Sequence, residues 1–259
     1  MRRYPRWTLN YTLSKSAIII SPDYRLLPEH TGHDILQDVA DFYTWLRKPG
    51  NLSSQLPEGF EVDLENILVT GETAGGYLAL VSALTQRNIA AAIAHYPMID
   101  MKGRHFAEKY EKPLFDAGTI PPGLLDQHLS SMKKGEVVTS RLPPDGSALV
   151  GIMIQQGSFP EDLGSDSSLY SLDVLDTVDV KSLPPIWILH GNEDEVVPVD
   201  RTEKFVEKLS QTYPEVICPD GKLMLTIEAG GHGFDESATQ HTEWVKAGLE
   251  WLGEYWPMF

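Results

Sequence analysis

Hydrophobic and polar positions alternate between two periods along this chain, and the switches between them outline its elements. "SAIIISPDY" is a short β-branched apolar run closed by Pro and Asp, which predicts a buried strand. "HDILQDVADFYTWLRK" carries Ile35, Leu36, Val39, Phe42, Tyr43 and Leu46 on one face, the spacing of an amphipathic helix, and Pro49-Gly50 stops it. "NILVTG" predicts a second strand, "AGGYLALVSALTQR" a helix and "IAAAIAHYP" a third strand. "LPPIWILHG" follows as a fourth strand, then the helix "VDRTEKFVEKLSQ" with Asp200 as its N-cap. "KLMLTIEAG" is the fifth strand, and "ATQHTEWVKAGLEWLGEYW" closes the chain as a helix. Strand and helix alternate, so the expected fold is α/β: a mostly parallel sheet of five to six strands with helices on both faces.

Between Asp100 and Leu183 the alternation breaks. "GTIPPG", "RLPPDG" and "GSFPEDLGSDSS" are separated by short helical pieces such as "PGLLDQHLSSMKK". An excursion of this kind from a tight α/β pattern predicts a lid over a site. The expected organisation is one domain over residues 1–259 with a cap inserted at about 101–180. Phe, Tyr, Leu and Met in the insertion point to a fairly apolar small-molecule ligand, or equally to a core of its own.

Composition narrows the function classes. A formal net charge of −16 argues against a nucleic-acid partner, which requires clustered Lys and Arg. A single cysteine, Cys218 in a predicted turn, excludes an internal disulfide framework and fits a reducing compartment. No run approaches the roughly 20 apolar residues of a membrane span, and "AIIIS" is too short for a signal-peptide core. The expectation is a cytoplasmic protein.

The candidate chemistry lies at three strand ends. Gly71-Glu72-Thr73-Ala74-Gly75 has the form G-x-nucleophile-x-G between a strand and a helix. Such a turn forces Thr73 to positive φ, and side chains at Gly71 and Gly75 are expected to collide with the crossing chain. The helix that follows aims its first N–H groups at the site, where they favour a developing oxyanion. "HGNEDEVVP" puts Asp194 after the fourth strand, and "EAGGHGFD" puts His232 after the fifth. Glu193 and Glu195 compete with Asp194, and the Val-Val-Pro that follows favours Asp194. Hydroxyl, acid and imidazole in that order are what a catalytic triad needs.

The chain resembles the α/β-hydrolase superfamily, and more narrowly its hormone-sensitive-lipase-like esterases of fungal type. "SPDYRLLPEH" resembles the family's D-Y-R-L-x-P-E-H segment, "GETAGGYLAL" its G-[DE]-S-A-G-G helix start, "LPPIWILHGNED" its acid strand and "GGHGF" its histidine loop. The resemblance implies hydrolysis of a carboxylic ester or lactone through an acyl-enzyme, with no metal and no cofactor. Thr73 would be nucleophile, His232 general base and acid, Asp194 the orienting carboxylate and Ala74 N–H an oxyanion donor. Asp23, Tyr24, Arg25 and Glu29 would be structural. A tailoring step in secondary metabolism is the setting it implies.

Two departures open a rival reading, a non-hydrolytic binding, scaffold or accessory protein. Thr73 stands where the family has serine, and a β-branched residue at positive φ is strained by about 1–3 kcal/mol. The family's H-G-G-G segment, source of most oxyanion donors, has no counterpart in residues 1–22. Nor has the strand ahead of it, which in the family lies between "AIIIS" and "NILVT". Those two strands must close up, borrow a strand, or leave an exposed edge through which a homo-oligomer could form. A true start further upstream is the other explanation.

Overall fold

The computed structural model describes residues 4–112, 114, 119–141, 145–217 and 221–256. In chain order its main elements are α1 (Arg6–Ser14), α2 (Gly32–Arg47), β1 (Ile67–Glu72), α3 (Ala74–Thr85), β2 (Ile89–His95), α4 (Arg104–Ala107), α5 (Gly123–Ser131), α6 (Asp145–Gln156), α7 (Phe159–Leu163), α8 (Ser171–Val174), β3 (Ile186–Gly191), α9 (Asp200–Thr212), β4 (Leu223–Glu228) and α10 (Glu243–Gly253). Two compact units divide them: residues 1–21, 62–99 and 175–259, and residues 22–61 with 100–174.

In the first unit the described strands form one parallel sheet in the order β1-β2-β3-β4, flanked by helices. Sequence order equals spatial order, and the strands can run parallel because each crossover carries a helix or the long excursion. Register pairs Ile93 with Trp187 and Leu189 with Thr226, so all four carboxyl ends finish on one rim. Every residue of β3 is buried, as expected of a central parallel strand. Ala91, Ile93, Trp187 and Leu189 form a core with Trp7 and Tyr11 of α1 and Val245 and Leu252 of α10. Trp7 and Trp187 are both fully buried, each contributing about 1.5–3 kcal/mol or more as a large apolar side chain removed from water. A Cβ at Gly248 would lie 2.0 Å from the Trp187 ring, so glycine lets α10 approach the sheet. Helix α3 packs on β1 and β2 and is apolar all round, with Gly76 to Leu84 buried.

The predicted strand at "AIIIS" does not form. Residues 17–20 join no ladder, and Ile18, Ile19 and Ile20 are exposed. A strand exists only by pairing, and residues 17–20 pair with no strand among the described residues. Strand β1 pairs with β2 alone among the described residues. Two helix starts also differ from expectation. Val199 caps α9 and Asp200 is its first helical residue, while α10 begins at Glu243 rather than in "ATQHT".

In the second unit α2 opens with a capping box: Thr31 Oγ1 accepts from Asp34 N–H, and the Asp34 carboxylate accepts from Thr31 N–H at 2.9 Å. Arg25 ties the preceding segment to α2 through Asp34 and Asp38, both at 2.8 Å. Glu29 accepts from His128 Nε2 at 2.8 Å and pairs with Arg141. Arg25 and Glu29 are thus ion-paired within this unit, in keeping with a structural part. Phe106, Met153, Phe159 and Leu163 from the excursion are buried, with the Phe106 and Phe159 ring centroids 5.8 Å apart. Cys218 lies outside the described residues. No described helix is long and apolar enough to cross a membrane.

Candidate active site

Thr73 joins β1 to α3 at φ 53°, ψ −111°. Three backbone bonds hold that conformation: Thr73 N–H donates to His95 O at 3.0 Å, and Thr73 O accepts from Tyr77 and Met98 N–H at 3.0 and 3.1 Å. The strain of a β-branched residue in this region, about 1–3 kcal/mol, is thereby offset by its surroundings. A Cβ on Gly71 would come within 2.3 Å of Gly75 O, so only glycine allows the chain to cross itself there. Gly75 differs from expectation: a Cβ there would meet nothing within 4 Å, because its outer side is open. Ala74 begins α3, where the first N–H groups of a helix lack intrahelical acceptors.

The three side chains singled out at the strand ends meet. Thr73 Oγ1 lies 2.7 Å from His232 Nε2, and His232 Nδ1 lies 2.8 Å from Asp194 Oδ2. A carboxylate only accepts, so Nδ1 carries the proton, and a neutral ring presents its Nε2 lone pair to the hydroxyl. The other Asp194 oxygen accepts from Val196 and Val197 N–H at 2.9 and 2.8 Å. Burial pushes the Asp194 carboxyl up, but hydrogen bonds from His190, His232 and Val197 outweigh it and hold the group well below the usual carboxylate range. Gly191 brings the acid and histidine loops together, since a Cβ there would lie 2.4 Å from Gly230 O.

Several neighbours were not singled out from the sequence. His190, fully buried on β3, has Nε2 2.8 Å from Val197 O and 3.4 Å from Asp194, with Nδ1 2.8 Å from Thr202 Oγ1. Tyr96, at φ 34°, packs edge-on against His232 with ring centroids 4.6 Å apart. Burial, then the charges of Asp235 and Glu72, push its phenol far up. Glu72 is raised as well, chiefly by burial. The signal for both histidines was available: "WILHG" and "AAIAHYP" each end a buried apolar strand on a polar ring, which must then be hydrogen-bonded. Among the described residues no group of three or more His, Cys, Asp or Glu could hold a metal ion.

Comparison with known proteins places the chain in a family. The family described as alpha/beta hydrolase fold matches residues 4–133, and the prolyl oligopeptidase family matches residues 159–258. The probable carboxylesterase M8 of Phoma sp. is 34% identical over 98% of this chain and 79% of its own. The probable carboxylesterase clz11 of Cochliobolus lunatus is also 34% identical, over 70% of this chain and 86% of its own. Among solved structures, a fungal esterase from Rhizomucor miehei superposes with a TM-score of 0.58 at 19% identity, covering 96% of this chain and 67% of that one. A Staphylococcus aureus protein superposes with the same score at 21% identity, covering 90% and 76%. Sheet, elbow and family match together define an α/β hydrolase, and the chain belongs to that family. Within it, the chain is a carboxylic-ester hydrolase-like enzyme.

Proposed function

We propose that the protein cleaves an uncharged carboxylic ester or lactone through an acyl-enzyme on Thr73. The observation that carries this is the continuous hydrogen-bonded line from the Thr73 hydroxyl through His232 to Asp194, at 2.7 and 2.8 Å. Thr73 Oγ attacks the carbonyl carbon while its proton passes to His232 Nε2, and Asp194 stabilises the imidazolium. Negative charge gathers on the carbonyl oxygen, which Ala74 N–H receives at the start of α3. The intermediate collapses as His232 returns the proton to the leaving alkoxide. Water then attacks the acyl-threonine with His232 again as base, releasing the acid.

Turnover is expected to be slow. The threonine methyl crowds the carbonyl under attack. The β-branched residue at φ 53° is also the observation favouring the second reading, an accessory or binding protein without turnover. Hydrolysis of p-nitrophenyl acetate by wild type, Thr73→Ala, Thr73→Ser and His232→Ala separates the two. The hydrolase reading expects measurable wild-type activity that Thr73→Ala and His232→Ala abolish. Activity unchanged in Thr73→Ala removes Thr73 as nucleophile, and activity gained only in Thr73→Ser establishes the accessory reading.

A further inference from the structure

His232 sits in a loop that no ladder holds. Residues 229–231 are bends and 232–237 successive turns, fastened by short backbone bonds such as Phe234 N–H to Gly231 O at 3.1 Å and Glu236 N–H to Gly233 O at 3.0 Å. Backbone ties the start of the loop to the acid loop, where Glu193 N–H donates to Gly230 O at 2.9 Å; beyond that point side chains help to fix where the imidazole comes to rest. Asp235, in this same loop, is fully buried. Its Oδ2 accepts from the Trp7 indole N–H at 3.3 Å and lies 2.8 Å from His95 Nδ1. The His95 ring, itself buried, stacks on Trp7 and has Nε2 3.1 Å from Thr70 Oγ1. Asp235 Oδ1 makes no hydrogen bond to any described residue. Tyr96, next to His95 in the chain, is the ring against which His232 packs.

We propose that Asp235 and His95 are positioning residues for His232: their buried contact clamps the histidine loop to the end of β2 and fixes the imidazole against Tyr96 within reach of Thr73. A buried polar pair of this kind is often no more stabilising than apolar side chains of equal volume. What it supplies is a definite place for the groups attached to it, and a misplacement of about 1 Å costs about 10²-fold in rate. The clamp ties together the loop that carries the general base and the strand end that carries its packing partner. The same His95 offers its carbonyl to Thr73 N–H, so the nucleophile is referred to the same point.

This proposal rests on the ester-hydrolase reading, and its test distinguishes the two. Wild type, Asp235→Asn, Asp235→Glu and Trp7→Phe are compared by kcat and KM on p-nitrophenyl acetate, by thermal midpoint, and by the low-field imidazole N–H proton resonances, with His232→Ala assigning the His232 signal. Asp235→Asn is expected to lower kcat about 10–100-fold with KM held within about twofold, and to broaden the His232 resonance although Asp194 is untouched. Asp235→Glu keeps the charge but lengthens the tie by a methylene, and lowers kcat in a protein that remains folded. Trp7→Phe keeps the stack, loses the weakest bond and changes kcat least. An unchanged kcat and an unmoved His232 resonance in folded Asp235→Asn, or in Asp235→Glu where the asparagine variant fails to fold, overturn the proposal. So does covalent labelling of Thr70 rather than Thr73 by a fluorophosphonate, since the pair would then serve chemistry of its own. A wild-type protein without turnover sinks the hydrolase reading, and the resonance of His232 then decides the clamp alone.

Discussion

Two lines of hydroxyl, imidazole and carboxylate among the described residues carry the same groups on different backbones. Thr73, His232 and Asp194 run at 2.7 and 2.8 Å; Thr70, His95 and Asp235 run at 3.1 and 2.8 Å. What separates them is backbone. Thr73 lies at positive φ before a helix of 12 residues, whose free N–H groups can receive an oxyanion. Thr70 lies inside β1, with backbone groups committed to a strand and no helix start beside it. The two carboxylates differ as well. Asp194 Oδ1 accepts two backbone N–H groups, whereas Asp235 Oδ1 accepts none from described residues. Hydroxyl, imidazole and carboxylate are thus insufficient to define a site; the turn that presents the hydroxyl and the donors that await the charge complete it.

Substitutions in the two lines should part accordingly. Asp194→Asn is expected to lower kcat/KM about 10³-fold or more, since the ring loses the tautomer that offers Nε2 to Thr73. Urea titrations over pH check the same group. Because the fold holds the Asp194 carboxyl below its ordinary range, its stabilisation is complete at neutral pH and is lost only as pH falls through that range toward its folded value. The stability gap between wild type and Asp194→Asn should therefore stay constant down to the ordinary carboxylate range and shrink below it.

Thr73→Ser comes next in size. Relief of strain worth about 1–3 kcal/mol, with a methyl removed from the attacking face, is expected to raise ester turnover about tenfold, as read by the pre-steady-state burst and the steady rate. A decrease would show that the methyl orients the hydroxyl rather than hindering it. Glu72→Gln probes the space between the two lines. Burial raises the Glu72 carboxyl, so the fold favours its neutral form, and wild type loses stability as pH rises from the ordinary carboxylate range through the raised value. The glutamine variant removes that slope: its thermal midpoint exceeds that of wild type at neutral pH and equals it in acid. Thr70→Val has the smallest effect. It removes one hydrogen bond to His95 at a cost of about 1 kcal/mol and leaves kcat within about twofold of wild type. A larger fall in kcat would mean that the second line reaches the reaction.

Much of this arrangement was legible before any coordinates. Four of the five apolar runs, "NILVTG", "IAAAIAHYP", "LPPIWILHG" and "KLMLTIEAG", contain the observed strands, and their order puts Thr73, Asp194 and His232 after strand ends on one rim. Pattern could not reveal pairing. "AIIIS" has the composition of a strand but joins no ladder, because β propensity expresses fit to a neighbour rather than a property of the residues. Nor could it show that Gly71 is sterically required while Gly75 is not, a matter of where the crossing carbonyl lies. Asp235 stands within "EAGGHGFD" without a signal of its own, because its partner is 140 residues away and no local spacing links them. His95 and His190 could have been singled out by a plainer rule, that a titratable ring closing an apolar strand needs a named partner.

The stacking of Trp7 on His95, at 5.3 Å between centroids and 24° between planes, has an optical consequence. Trp7 is fully buried against that ring and out of reach of iodide, so Trp7→Phe should lower the share of intrinsic fluorescence that iodide leaves unquenched. Light from one sealed ring thereby reports, without any substrate, whether the first helix stays packed on the sheet.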